Sequence, residues 1–165
     1  MYTVGLDLST VSTGLVIVKR YKSGDKVHKA YTFKAKDKDV HDRIYKISKE
    51  IKAVLKPIKS SIDIVIIESV YNIRWNTQSL LEVRGAVINI LKELEIPVEM
   101  LSASKARFIT FAIPKATRGK PHTREAKKEF VKTLVEKHYN FKFENCDESD
   151  AALLCMAWAK SKEKK

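Results

Sequence analysis

Cysteine is scarce in this chain and histidine is scattered, and the two shortages narrow the chemistry open to it. Cys146 and Cys155 are the two cysteines among 165 residues. They form no Cys-x-x-Cys pair and have no histidine beside them, so neither a zinc cluster nor a disulfide framework can be drawn, and both read as reduced thiols. His28, His41, His122 and His138 lack metal-ligand spacing, which leaves oxygen donors for a catalytic metal and points to magnesium or manganese. No run approaches the roughly 20 apolar residues of a membrane span. No basic, apolar and small-residue leader precedes the strand-like Tyr2-Thr3-Val4-Gly5-Leu6, so a soluble, cytoplasmic protein is expected. There is no domain linker and no internal repeat. We therefore expect one domain over 1–160, with SKEKK at 161–165 a disordered basic tail.

Acidic residues are in deficit as well: 32 Lys and Arg face 20 Asp and Glu, a net charge of +12. A field of that sign draws polyanions such as nucleic acid by long-range steering. Taken alone, it is equally the surface of a soluble protein whose lysines oppose aggregation.

The apolar pattern supplies the elements. Residues 2–8, 14–20 and 26–35 carry strand formers separated by turns at Ser9-Thr10 and Ser23-Gly24-Asp25, an antiparallel meander. Val40, Ile44, Ile47, Ile51 and Leu55 then mark one stripe of a helix ending before Pro57. Ile62–Ile67, IDIVII, reads as a buried central strand, and its separation from the meander by a helix suits parallel pairing with the first strand. A helix over about 78–94 follows, with Gly85 implying a close backbone approach, and then a short strand, IPVEML. Residues 105–142 hold 11 Lys or Arg against three Glu. They include a mobile loop, PKATRGKPH, and a helix opened by Thr123, with Ala126, Phe130, Val131 and Leu134 facing the core and Lys127, Lys128 and Lys132 facing solvent. The last helix runs from about Glu148 to Ala159.

Four acids stand out against this background. Asp7 interrupts an apolar strand, and Glu68 sits at the carboxyl end of IDIVII, where open α/β sheets bind ligands. If those strands are parallel neighbours, the two carboxylates project side by side. Asp147 and Asp150, three apart at the start of the last helix, share a face and can meet the first pair. Four converging carboxylates repel one another unless divalent cations intervene, and paired magnesium ions suit in-line attack of water on a phosphodiester. Each acid also has a plain structural role open to it: Asp7 in a turn, Glu68 at a strand end, Asp147 as a helix N-cap.

The order of GLDLSTVSTG, IVIIESVY and DESDA, with Arg84-Gly85, Pro97-Val98 and Lys105 between the last two, resembles the RuvC Holliday-junction resolvases over nearly the whole chain. The resemblance implies an α/β, RNase H-like fold with a five-stranded mixed sheet flanked by α-helices. It also implies a homodimer that nicks opposing strands of branched DNA using magnesium, or manganese in its place, held by Asp7, Glu68, Asp147 and Asp150. In such enzymes the helix around Gly85 serves the dimer, though plain core packing explains its apolar face as well. Tyr71 falls where the family places an aromatic that wedges between bases, with Arg74 and Trp75 in the same loop. Lys105, Arg107, Arg118, Lys120, Arg124, Lys127 and Lys128 are expected on phosphates, one of the last three near the transition-state charge. Leu8-Ser9-Thr10, the long basic insertion and the lysine content look more like the phage-encoded branch of the family.

Two rivals remain open on sequence. GLDLSTVSTGLVIV also resembles the phosphate-binding hairpin of the actin and sugar-kinase ATPases, which need a second such domain. A non-catalytic, basic junction-binding protein of the same fold is the alternative from outside the enzymes.

Overall fold

A computed structural model describes residues 1–69, 78–112 and 124–163, apart from the side chain of Arg124. Tyr71, Arg74 and Trp75, together with Arg118, Lys120, the capping Thr123 and the loop PKATRGKPH, lie outside the described residues. Three strands, β1 (Tyr2–Asp7), β2 (Ser12–Lys19) and β3 (Lys26–Lys34), form the expected antiparallel meander. The chain then crosses through α1 (Val40–Leu55) and a short 3₁₀ turn to β4 (Ile62–Glu68), which pairs parallel with β1. After α2 (Gln78–Glu93), β5 (Val98–Leu101) adds parallel to β4. The sheet order is β3-β2-β1-β4-β5, the mixed five-stranded sheet expected. Three further helices follow: α3 (Ala103–Phe111), α4 (Arg124–Tyr139) and α5 (Cys146–Glu163).

Strand alternation divides the core in two. Val4, Leu6, Leu15, Ile17, Val65 and Ile67 point to one face, where α1 and α2 cover them with Ile47, Ile51, Val83, Val87 and Leu91. Val16, Val18 and Ile66 point to the other and meet Val131, Val135, Leu153 and Leu154 from α4 and α5. On that second face α5 comes down to the strand backbone. A Cβ on Gly5 would stand 1.9 Å from the Ala151 carbonyl oxygen, and one on Gly14 would stand 2.2 Å from that of Asp147. No larger residue fits at either position without moving α5. Burial of α5 runs nearly unbroken from Glu148 to Ala157.

Several expectations are corrected. Among the described residues, Gly85 shows no close approach: nothing lies within 4 Å of where its Cβ would stand. The core face of α4 is Val131, Val135 and Tyr139, while Ala126 and Phe130 are exposed and Leu134 is half-buried. Phe130 lies about 100° round the helix from Val131, enough to carry it out of the core. Lys128 and Lys132 are likewise half-buried instead of facing open solvent. Ser161, Lys162 and Glu163, expected in the tail, form the last turn of α5, held by Lys160 donating to the Thr110 carbonyl at 2.9 Å and by a Lys162–Glu99 ion pair at 3.6 Å. The whole of α3 went unread; Ser102 caps it by accepting from the Lys105 backbone N–H.

Candidate active site

Strand parity decides where the first two acids point. Asp7 is two residues beyond Gly5 and Glu68 two beyond Ile66, so both stand on the α5 face, and Gly5 and Ile66 are register partners in the parallel β1–β4 ladder. The two carboxyls end up in hydrogen-bond contact at the carboxyl ends of neighbouring strands. Burial, then the Glu68 carboxylate and its hydrogen bond, then Asp150, push the proton affinity of Asp7 well above the ordinary carboxylate range. Asp150 reaches the same place from α5: burial raises its pKa, nearby Lys128 and Arg107 pull it down, and Glu68 adds repulsion. The structure therefore brings Asp7, Glu68 and Asp150 together from three separate elements.

Asp147 stands at the rim of this group. Its Oδ2 accepts from Ser12 Oγ at 2.7 Å, and its Oδ1 lies 3.9 Å from Lys128 Nζ. It is not the helix cap. That role falls to Asn145, whose Oδ1 accepts from the Glu148 backbone N–H at 3.0 Å. Among the described residues, no set of three or more His, Cys, Asp or Glu side chains is disposed to hold a metal ion as they stand.

Among the described residues, Lys128 enters the acidic group. Its Nζ lies 3.1 Å from Asp150 Oδ2. Burial works against its charge, but Asp150, Asp7 and Asp147 together outweigh that and raise its pKa. Arg107 approaches Asp150 from α3 and is half-buried, its Nε without a hydrogen-bond partner. Lys105 and Lys127 are exposed.

Two contributors were not singled out as site residues by sequence reading. Arg84 is buried on α2, where burial lowers its pKa and Glu68 raises it; its Nη2 donates to the Glu68 carbonyl at 3.2 Å and fixes the end of β4. Arg84-Gly85 had carried part of the family resemblance, which was the available signal. The other is Ser12, whose hydroxyl gives no sign in sequence of a partner 135 positions away.

Comparison with known proteins bears on the fold and the family. No curated protein sequence matches the chain. Among solved structures it is similar to Thermus thermophilus RuvC, with a TM-score of 0.79 and 17% identity over 99% of this chain and 96% of that one. The same scores hold for T. thermophilus RuvC in complex with a Holliday junction substrate. Fowlpox virus resolvase, solved with substrate Holliday junction DNA, matches with a TM-score of 0.60 and 11% identity over 100% of both chains. Identities this low establish the shared fold. The family model for crossover junction endodeoxyribonuclease RuvC, however, matches residues 3–158, and the chain accordingly belongs to that family of junction-resolving endonucleases.

Proposed function

We propose that the chain nicks four-way DNA junctions, and related branched DNA, by metal-dependent phosphodiester hydrolysis at Asp7, Glu68, Asp147 and Asp150. The observation that carries the proposal is the meeting of Asp7, Glu68 and Asp150 around the Lys128 ammonium on the α5 face of the sheet. The donor set fits magnesium or manganese, since all its ligating atoms are hard carboxylate oxygens. A divalent cation held here would take the place of the proton that burial and the neighbouring carboxylates favour on Asp7, and a pair of ions would suit four carboxylates. Such ions supply an activated water and neutralise phosphate charge.

The chain's own groups do the rest. Ser12 holds Asp147 Oδ2, so that Oδ1 faces Lys128. Arg84 fixes the backbone of Glu68. Lys128 stands where negative charge accumulates on the phosphate, and Arg107 lies beside it. Lys105, Arg124 and Lys127, with Arg118 and Lys120, bind backbone phosphates, and Tyr71, Arg74 and Trp75 contact bases at the branch; these assignments rest on sequence position.

The partner is a second copy of the chain, joined through α2. Its outer surface presents an exposed Leu81 four residues before the bare Gly85, a combination that lets another helix approach closely.

The test is a panel of labelled four-way, three-way and flap DNAs incubated with magnesium, manganese or chelator. Nicking should need the metal and favour the four-way form. Asp7→Asn and Glu68→Gln should retain junction binding and lose nicking. Tight binding with no nicking in either metal would instead favour a non-catalytic junction binder.

A further inference from the structure

Glu148 is buried to 3% exposure in the first turn of α5, between the two aspartates of the site. A buried carboxylate is costly unless its oxygens are satisfied. Here Oε1 accepts from Thr32 Oγ1 at 2.8 Å and Oε2 from the Glu144 backbone N–H at 3.0 Å. The same Thr32 oxygen accepts from Asn145 Nδ2 at 2.7 Å, and Asn145 Oδ1 accepts from the Glu148 N–H at 3.0 Å. The three residues thus close a ring that ties the cap and first turn of α5 to β3. Thr32 is the register partner of Gly14, the position on which the Asp147 carbonyl rests. Gly14 provides the seat for the helix start and Thr32 the bolt beside it.

We propose that the Thr32–Glu148–Asn145 ring is a positioning device for the reaction: it sets the height and rotation of the first turn of α5, and so the placement of Asp147 and Asp150. The inference rests on the reading that these aspartates belong to the active site. Burial of Glu148 is not needed to fill space, since an apolar side chain would fill it without the cost of a carboxylate. What the ring adds is direction. Hydrogen bonds fix an angle that apolar packing leaves loose, and a displacement of about 1 Å at a reacting centre costs on the order of 100-fold in rate.

The deciding experiment compares Thr32→Val, which is nearly isosteric but breaks two sides of the ring, with Thr32→Ser, which keeps the hydroxyl. Wild type and both variants are assayed on a labelled four-way junction with magnesium and titrated calorimetrically with manganese alone. Thr32→Val should lower kcat by about 10- to 100-fold, leave KM within about 2-fold, and weaken manganese binding by about 10-fold. Thr32→Ser should restore both to near wild type. Glu148→Gln, which keeps the acceptor for Thr32 and loses the one for the Glu144 N–H, should fall between them. A folded Thr32→Val with unchanged kcat would overturn the proposal. So would a Thr32→Val whose kcat and thermal stability fall together with no rescue by serine, because the ring would then serve the fold alone. Absence of nicking by the wild type would sink the active-site reading itself, an outcome separate from an active wild type indifferent to Thr32.

Discussion

Burial and two neighbouring carboxylates, Glu68 and Asp150, favour the protonated form of Asp7 when no cation neutralises the group. Its folded pKa is raised, so between the ordinary value of 3.8 and that raised value the folded chain keeps a proton that the unfolded chain has released. Stability is therefore greatest at low pH and declines as pH rises through this window. Asp7→Asn removes the effect. In chelator at neutral pH the variant should melt about 2–4 °C above wild type, as expected for roughly 1 kcal/mol in a chain of this size. The gain should vanish near pH 4. A variant no more stable than wild type in differential scanning calorimetry would mean the carboxyl is not under strain. Lys128→Met should lower nicking by about 100- to 1,000-fold, the scale of losing one group poised at developing charge, with junction binding by gel shift nearly unchanged. The acids were legible because a carboxylate in an apolar strand contradicts its surroundings. Lys128 was not separable from Arg124 and Lys127, since three bases in one helical turn are distinguished only by how the helix is rotated against the sheet.

At the scale of elements, the start of α5 rests directly on the backbone of β2 at Gly14. Gly14→Ala would place a methyl 2.2 Å from a backbone oxygen that no rotamer can move, so the start of α5 must shift. Destabilisation of about 1–3 kcal/mol in chemical denaturation, with a loss of nicking larger than the loss of folded protein, is the expected result. Unchanged nicking would show that the helix start tolerates displacement. The meander, α1, β4 and α2 could be read from sequence because their apolar residues keep a clear period of 2 or 3.6. The α3 segment could not: ASKARFITF buries Ala106 and Thr110 and leaves Phe108 62% exposed, so its hydrophobic residues mislead about its inner face. The same confusion affected the reading of α4, where Phe130 was taken into the core beside Val131, although it is 58% exposed.

Across the whole molecule, the sheet separates two tasks. One face carries α5 and the acidic site; the other carries α1 and α2, with the exposed Leu81 on the proposed dimer surface. Leu81→Glu should therefore convert a dimer to a monomer in analytical ultracentrifugation while leaving the circular dichroism spectrum and metal-free melting of the protomer close to wild type. A wild type that already sediments as a monomer at micromolar concentration would remove α2 from that role. The chain superposes on Thermus thermophilus RuvC with a TM-score of 0.79 at 17% identity, so the backbone path is shared where most individual side chains are not.

The near-continuous burial of α5 from Glu148 to Ala157 leaves Asp150 on a segment with no hinge of its own. That buried stretch is held on every side, so its amides should exchange hydrogen only when the entire chain opens. Heat inactivation and global melting should then trace one curve, and the enzyme would have no loosened, half-active form on the way to denaturation.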